Sequence, residues 1–548
     1  MALVVGLEVH VELGTRTKMF SRAPSAAHPE NYGAEPNTLI DPVVLGLPGA
    51  LPVMNRAAVE MSMMVGLALG CRVAPVSKWD RKSYFYPDLP KNYQISQYPL
   101  PLCFDGSVEL PPISAEGKID WEALAEGGAR SGAGETLPGK RIGIIRAHLE
   151  EDAGKLLHET PGGGGGPAVD FSIADYNRAG TPLLEIVTQP DFQTSDEVVV
   201  FSQILRNICR FLGVSEGVMQ KGQMRFEPNI NCVLTLDDGR LVRTPIVEVK
   251  NLNSFKSLRG AIDHERREQP RRWMESGEEM RPGSKSTRGW DDRAESTFMQ
   301  REKEEAHDYR YFPDPDLSPV EVGEEWLERM RGQVPELPLE RTRRYMREYG
   351  LSAKEAAALT DERDVCVLYE GAVAAAEGLG MDAPRAGKGA ANVLLQSGAK
   401  RANERTAERR ARAENGDEAA AVEPVLVSAL GVNARQVGEI VKMREEGSIS
   451  AARADELFGL LCAGGGEEAG ADAAAVARAR GMLIVRDEGA MDGWCERVIS
   501  GNAKAAEDVR AGKVQAIGRL VGEVMKLAGG SADAKTVREN LLKKLGQG

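Results

Sequence analysis

Between residues 196 and 212 the apolar positions fall three and four apart. Phe201, Ile204, Leu205, Ile208, Phe211 and Leu212 form one stripe, which predicts an amphipathic helix. Thr194 and Glu197 stand at capping-box spacing before it, and Gly213 supplies a stop. A second helix is predicted over 56–69, between Asn55 and Gly70. Elsewhere in the first 320 residues the apolar runs are short. "GLEVHVEL" (6–13), "RIGIIRAHLE" (141–150), Leu183–Val187 and the start of "VEVKNLNSF" (247–255) read as strands, bounded by Gly, Pro and Asn. A mixed sheet with helices follows for 1–320.

Beyond about residue 321 the pattern changes. Ala, Glu and Arg dominate and strand signals nearly vanish, so 321–470 is expected to be a helical domain and 471–548 a small helical tail. The whole is α+β. Within it, "RANERTAERRARAENGDEAAA" (401–421) reads as an exposed helix or a flexible insertion, and "CAGGGEEAGAD" (462–472) as a linker. Gly-rich stretches at 115–140 and 161–167 read as lengthened loops, and no tandem repeat is present.

Composition narrows the function classes. A chain of 548 residues exceeds one hydrophobic core, so two to four domains are expected. Apolar content of 42% with 28% charged residues is that of a soluble globular protein. The net charge of −13 requires any nucleic-acid contact to come from a local basic patch. Seven cysteines without a CxxC pair suit reduced thiols in a cytoplasm, and neither a signal peptide nor a membrane span is read.

Several motifs are missing: GxxxxGK[ST], HExxH, and a GxGxxG in a strand–helix setting. "GSKST" (283–287) reads as a polar surface loop. What remains is carboxylate chemistry. Glu8 and His10 are two apart on a strand and share a face. "HLEEDAGK" (148–155) carries Glu150, Glu151 and Asp152 in a row, either a solvated turn or a cation site at a strand end. Glu185 sits in an apolar strand and needs a partner, Arg178 or a metal. Such oxygen-rich ligation suits Mg²⁺ or Mn²⁺. Cations and aromatics interleave at 79–102, where Arg81, Lys82, Tyr84 and Lys91 are candidates to hold phosphate or stack a base. Lys250, Asn251 and Asn253 mark a strand-to-helix junction suited to an anion, with Ser254 a candidate cap.

These stretches, with "DRKSYFYPDLPKNYQISQY", "DYNRAGTPLLEIVTQPD" and "AHDYRYFPDPDLSP", closely resemble the B-subunit family of tRNA-dependent amidotransferases (GatB). The resemblance covers nearly all of 1–320 and returns in the C-terminal tail, which looks YqeY-like. It implies a cradle domain with a kinase-like site at 1–320. It also implies a two-step reaction on Glu-tRNA(Gln) or Asp-tRNA(Asn): ATP activates the side-chain carboxylate, and ammonia then displaces the phosphate. Implied partners are a glutaminase A subunit, a small C subunit and the misacylated tRNA. Carried over by motif, the Mg²⁺ ligands are His10, Glu151 and Glu185 with Glu8 adjacent. Which of Glu150, Glu151 and Asp152 reaches the ion is left open, and Lys250 is counted with the catalytic residues.

Two departures stand out. The stretches matching the family's zinc knob, "MFSRAP" and "LIDPVVLGLPG", carry no cysteine, so no zinc is expected. "RFEPN" replaces the usual "RCDxN", which puts a role for Glu227 in doubt. Residues 504–548 carry nine basic and five acidic residues, a net of +4. Lys504, Arg510, Lys513, Arg519 and Lys526 are the expected tRNA contacts.

Overall fold

A computed structural model describes residues 1–125, 136–159, 168–302, 309–414, 424–462, 470–484, 488–511, 514–528, 532 and 534–546. The cores of the 161–167 loop, of the 115–140 loop and of the 462–472 linker lie outside these residues, as does 415–421. The chain divides into two compact units, Met1–Pro338 and Leu339–Gly548.

The first unit is built on a ten-stranded mixed sheet. Its strands are β1 (Ala2–Glu12), β2 (Arg72–Val73), β3 (Cys103–Leu110), β4 (Lys140–Glu151), β5 (Pro182–Thr188), β6 (Met224–Thr235), β7 (Leu241–Arg243), β8 (Val247–Lys250), β9 (Ser286–Asp291) and β10 (Ser296–Glu302). The order is β10-β9-β8-β6-β1-β5-β4-β3-β2, with β7 on β6; β8 and β9 run parallel and the other pairs antiparallel.

β1 shows why the sheet has two different faces. Leu3, Val5, Leu7, Val9 and Val11 alternate onto one side and are buried in the core. Among the helices packed into this unit's core are α1 (Arg56–Ala68), α2 (Ser195–Phe211) and α3 (Phe255–Ser276). The capping box of α2 forms as expected, with Glu197 N donating to Thr194 Oγ1 at 3.2 Å and Thr194 N to Glu197 Oε2 at 3.3 Å. Asn55 caps α1 and Ser254 caps α3. The opposite side of β1 carries Glu8, His10 and Glu12, and that polar face becomes the site.

Beside this face stands a small sheet of Asp80–Ser83, Tyr93–Ser96 and Phe312–Pro313. Helix α4 (Glu324–Gln333) follows the expected boundary at 320, yet it packs on α1: Trp326 Nε1 and Arg329 both donate to Glu60, and Met330 is buried in the first core. The first unit therefore runs on to Pro338.

Among its described residues the second unit is helical. Tyr345, Tyr349 and Tyr369 pack on one another, Tyr349 and Tyr369 edge to face, and Glu370 accepts from Arg341 and Arg344 at 2.5 Å each. The charged run after 400 is helix from Ala399 to Glu414, held by Arg401 on Asp455 at 2.7 Å. Residues 471–479 stay with these middle helices, for Gln436 donates to the Ala471 carbonyl at 2.9 Å. A separate core begins at Met491 and gathers Cys495, Val509, Leu520, Val524, Val537 and Leu541. No helix among the described residues is long and apolar enough to cross a membrane.

Candidate active site on the polar face of the sheet

The strand register assembles the site. His10 on β1 lies opposite Glu185 on β5, and Glu185 lies opposite His148 on β4. On the other side Glu8 of β1 faces Glu227 of β6. Directly opposed residues project to one face with their Cβ atoms about 5 Å apart. Four neighbouring strands thus place imidazoles and carboxylates side by side. They floor a cavity of about 320 Å³. Its walls include Lys82, Tyr84, Tyr98, Tyr309 and Tyr311.

Two groups of ligand atoms stand on this floor. In the first, His10, Glu150 and Glu185 each offer an atom within 4.8 Å of the others. His10 Nε2 is 3.5 Å from Glu185, and His148 Nε2 is 3.5 Å from Glu150 and 3.6 Å from Glu185. Ser96 Oγ and Gln94 Nε2 donate to Glu150 at 2.7 and 3.0 Å. The ion-pair distances to these two carboxylates come from the imidazoles, and Lys82 acts on both from farther off. Burial works against both charges, yet Lys82 holds Glu150 below the usual carboxylate range, and His148 and His10 hold Glu185 well below it. Burial also opposes a charge on His10, but the Glu185 hydrogen bond outweighs it and raises the imidazole above its ordinary value.

This donor set fits a hard divalent cation. It offers two ionised carboxylates and one imidazole, with room left in the cavity for water or substrate oxygens. The buried Nδ1 atoms of His10 and His148 have no hydrogen-bond partner among the described residues.

The second group is Glu8, Glu227 and Glu248, again with ligand atoms within 4.8 Å. Its company is different. Lys250 Nζ lies 2.6 Å from Glu227 and 3.3 Å from Glu248. Lys285 Nζ lies 3.6 Å from Glu248 and 3.9 Å from Glu8. Asn229 donates to Glu8 at 2.9 Å.

Several expected site residues take other places. Glu151 points to the opposite face of β4 from Glu150, where it accepts from Lys91 and from Ile95 N at 3.0 Å. It is not in the first ligand group; the strand alternation puts Glu150 there instead, and Lys91 leaves the cavity wall with Glu151. Arg178 does not pair with Glu185. It donates to the carbonyls of Ala153 and Gly154 and lies 3.7 Å from Asp152, which Arg225 holds at 2.7 Å. Arg81 is taken by Asp314 and Asp316 at 2.7 and 2.8 Å. Asn251 and Asn253 are exposed and do not line the cavity, whereas Lys82, Tyr84 and Lys250 do.

Four residues that were not among the expected site residues stand in or beside the site. Glu227 is in the second group despite its longer arm. Glu248 and His148 come in through register. "GSKST" is not a free loop: Ser286 opens β9, Thr287 pairs with Glu248 and is buried, and Lys285 reaches the acids. The signal available was period-two alternation, which puts His148 with Glu150, and Glu248 with Lys250, on one face.

A family model described as the GatB/GatE catalytic domain matches residues 3–328, and a second, described as the GatB domain, matches 387–545. The chain belongs to the GatB family. Curated relatives agree. The B subunit of the aspartyl/glutamyl-tRNA(Asn/Gln) amidotransferase of Synechococcus elongatus is 41% identical, the match covering 99% of this chain and 97% of the relative. Relatives of the same name from Thermomicrobium roseum and Burkholderia ambifaria are 40% and 38% identical, over 98% and 99% of their lengths. The GatB match thus spans both units, and the polar face lies in the stretch matched as catalytic.

In the second unit, Lys504, Arg510, Arg519 and Lys526 are exposed on the short helices around the Met491–Leu545 core; Lys513 lies outside the described residues.

Proposed function

We propose that this chain is the amidating subunit of a tRNA-dependent amidotransferase, with His10, Glu150 and Glu185 holding a Mg²⁺ ion that neutralises phosphate charge when bound. In the first step a side-chain carboxylate oxygen of Glu or Asp on misacylated tRNA attacks the γ-phosphorus of ATP, and ADP leaves. In the second, ammonia nitrogen attacks the acyl carbon, phosphate leaves, and a proton is lost to give the amide. Lys82 and Lys250 flank the acid floor and are suited to the phosphoryl oxygens. The tyrosine wall, with Tyr98 and Tyr311 stacked at 4.5 Å, shields an acyl phosphate from water. Ammonia is supplied by a partner glutaminase, and the exposed basic residues of the tail contact tRNA phosphates.

The observation that carries this reading is the first ligand group, set in a cavity with cations on its walls. Its test is to compare Glu150→Gln with Glu151→Gln. Glu150→Gln is expected to lower ATP-dependent amide formation at least about 100-fold and to weaken Mn²⁺ binding at least about tenfold. Glu151→Gln should keep Mn²⁺ affinity. Unchanged Mn²⁺ affinity in Glu150→Gln overturns the assignment.

A further inference from the structure

The alternation along β4 breaks once. Ile142 and Ile144 are buried in the core, and so are Ala147 and Leu149. A switch from even to odd positions needs an extra residue in the strand. The register supplies it: Arg146 lies opposite Val187 and Ile144 opposite Thr188, so Ile145 is the bulged residue. Without the bulge, Arg146 would follow Ile144 into the core. With it, Arg146 joins His148 and Glu150 on the polar face and lines the cavity.

The guanidinium of Arg146 lies over the Tyr98 ring, 5.5 Å from its centroid, and Tyr98 stacks on Tyr311 at 4.5 Å. Its Nε is buried without a hydrogen-bond partner, and among the described residues no carboxylate forms an ion pair with it. Lys250, on the same cavity, is taken by Glu227 and Glu248. A half-buried charge with an orphaned donor is a costly arrangement unless an anion meets it. A guanidinium presents its donors as a planar fork, and stacking on a tyrosine restricts how that fork approaches a ligand. Phosphate oxygens match such a fork.

We propose that Arg146 is a catalytic residue that donates to the terminal phosphoryl oxygens of ATP and balances the charge spread over them during transfer. The proposal rests on the reading of this cavity as the ATP-dependent site. In the step, the substrate carboxylate oxygen bonds to phosphorus, the bond to the bridging oxygen breaks, and ADP leaves with that electron pair. Arg146 keeps its proton throughout. Phosphate is assigned here rather than the substrate carboxylate, because a carboxylate clamped by a guanidinium is a poorer nucleophile. The phosphoryl group carries more charge and is the group attacked.

The experiment measures binding of ADP and of the β,γ-imido analogue of ATP to the full chain by calorimetry, with Mg²⁺ present. Arg146→Gln is expected to weaken the triphosphate analogue at least about tenfold and ADP by less than about twofold. Retained ADP binding controls for folding. In the amide-forming complex the same variant should lower kcat at least about 100-fold, with KM for the aminoacyl-tRNA unchanged. Equal weakening of both nucleotides overturns the proposal. So does unchanged affinity for the analogue, or a raised KM for the aminoacyl-tRNA alone. Failure of the reading of the site shows separately, as a wild-type chain that binds neither nucleotide, and the proposal then falls with it.

Discussion

Three sets of acidic side chains share one face of the sheet, and each has its charge settled differently. At His10/Glu150/Glu185 the contacts are imidazoles and neutral donors. At Glu8/Glu227/Glu248 they are two lysines. Further along, Glu12 and Asp152 lie together, with Arg225 on Asp152 at 2.7 Å. There burial and the neighbouring Asp152 charge push Glu12 up to about 8, while the arginines outweigh burial and hold Asp152 down to about 2. The lesson is that acid density alone does not mark a metal position.

The largest effect separates the first set from the other two. Glu185→Gln removes a buried carboxylate that His148, His10 and, at longer range, Lys82 hold ionised. Amide formation is expected to fall at least about 100-fold, with the melting temperature lowered only slightly, because the lost charge was itself costly to bury. A fall in activity under tenfold, measured with saturating ATP and Mg²⁺, would break the comparison by showing that the first set is not the working one.

An intermediate effect belongs to the second set. Lys250→Met takes the closer of two ammonium groups from buried Glu248. A loss of about 2 kcal/mol of unfolding free energy is expected, below the value for a fully buried pair because Lys250 is 30% exposed. Chemical denaturation measures it. A variant as stable as the wild type would show that the lysines are not what stabilises these acids.

Much of this is legible in the sequence. Period and caps locate α1 and α2, and alternation in "GLEVHVEL" puts Glu8 and His10 together on a polar face. The acidic triplet is visible too, but motif matching carries Glu151, whereas strand parity places Glu150 beside His10 and Glu185. The rest is not legible because it depends on register between distant strands. Nothing local to "VEVK" or "GSKST" says that β8 and β9 run parallel, or that Lys285 lands on Glu248. Lys18 is a similar case. Its fully buried ammonium donates to the carbonyls of Asn177 and Ala179 more than 150 residues away, and burial lowers it to about 8. Composition sets the boundary near 320, whereas the polar-looking helix α4 buries Met330 in the first core.

The smallest effect tests the third set. A carboxyl raised in the folded state above its unfolded value contributes stability that is fully present below the unfolded value and is lost as pH rises through the folded one. For Glu12 the window runs from about 4.5 to about 8. Wild-type stability should therefore decline across that window through this group, as the proton that quiets the pair is stripped from a buried site. Glu12→Gln replaces the protonated acid with a neutral amide of similar shape. Its unfolding free energy should match the wild type near pH 5 and exceed it at pH 8.5, by an amount on the order of 1 kcal/mol. Denaturation curves at the two pH values decide the matter. Parallel curves at both would mean that Glu12 is ionised in the folded chain, and that Arg225 and Arg178, rather than a proton, settle the third set as lysines settle the second.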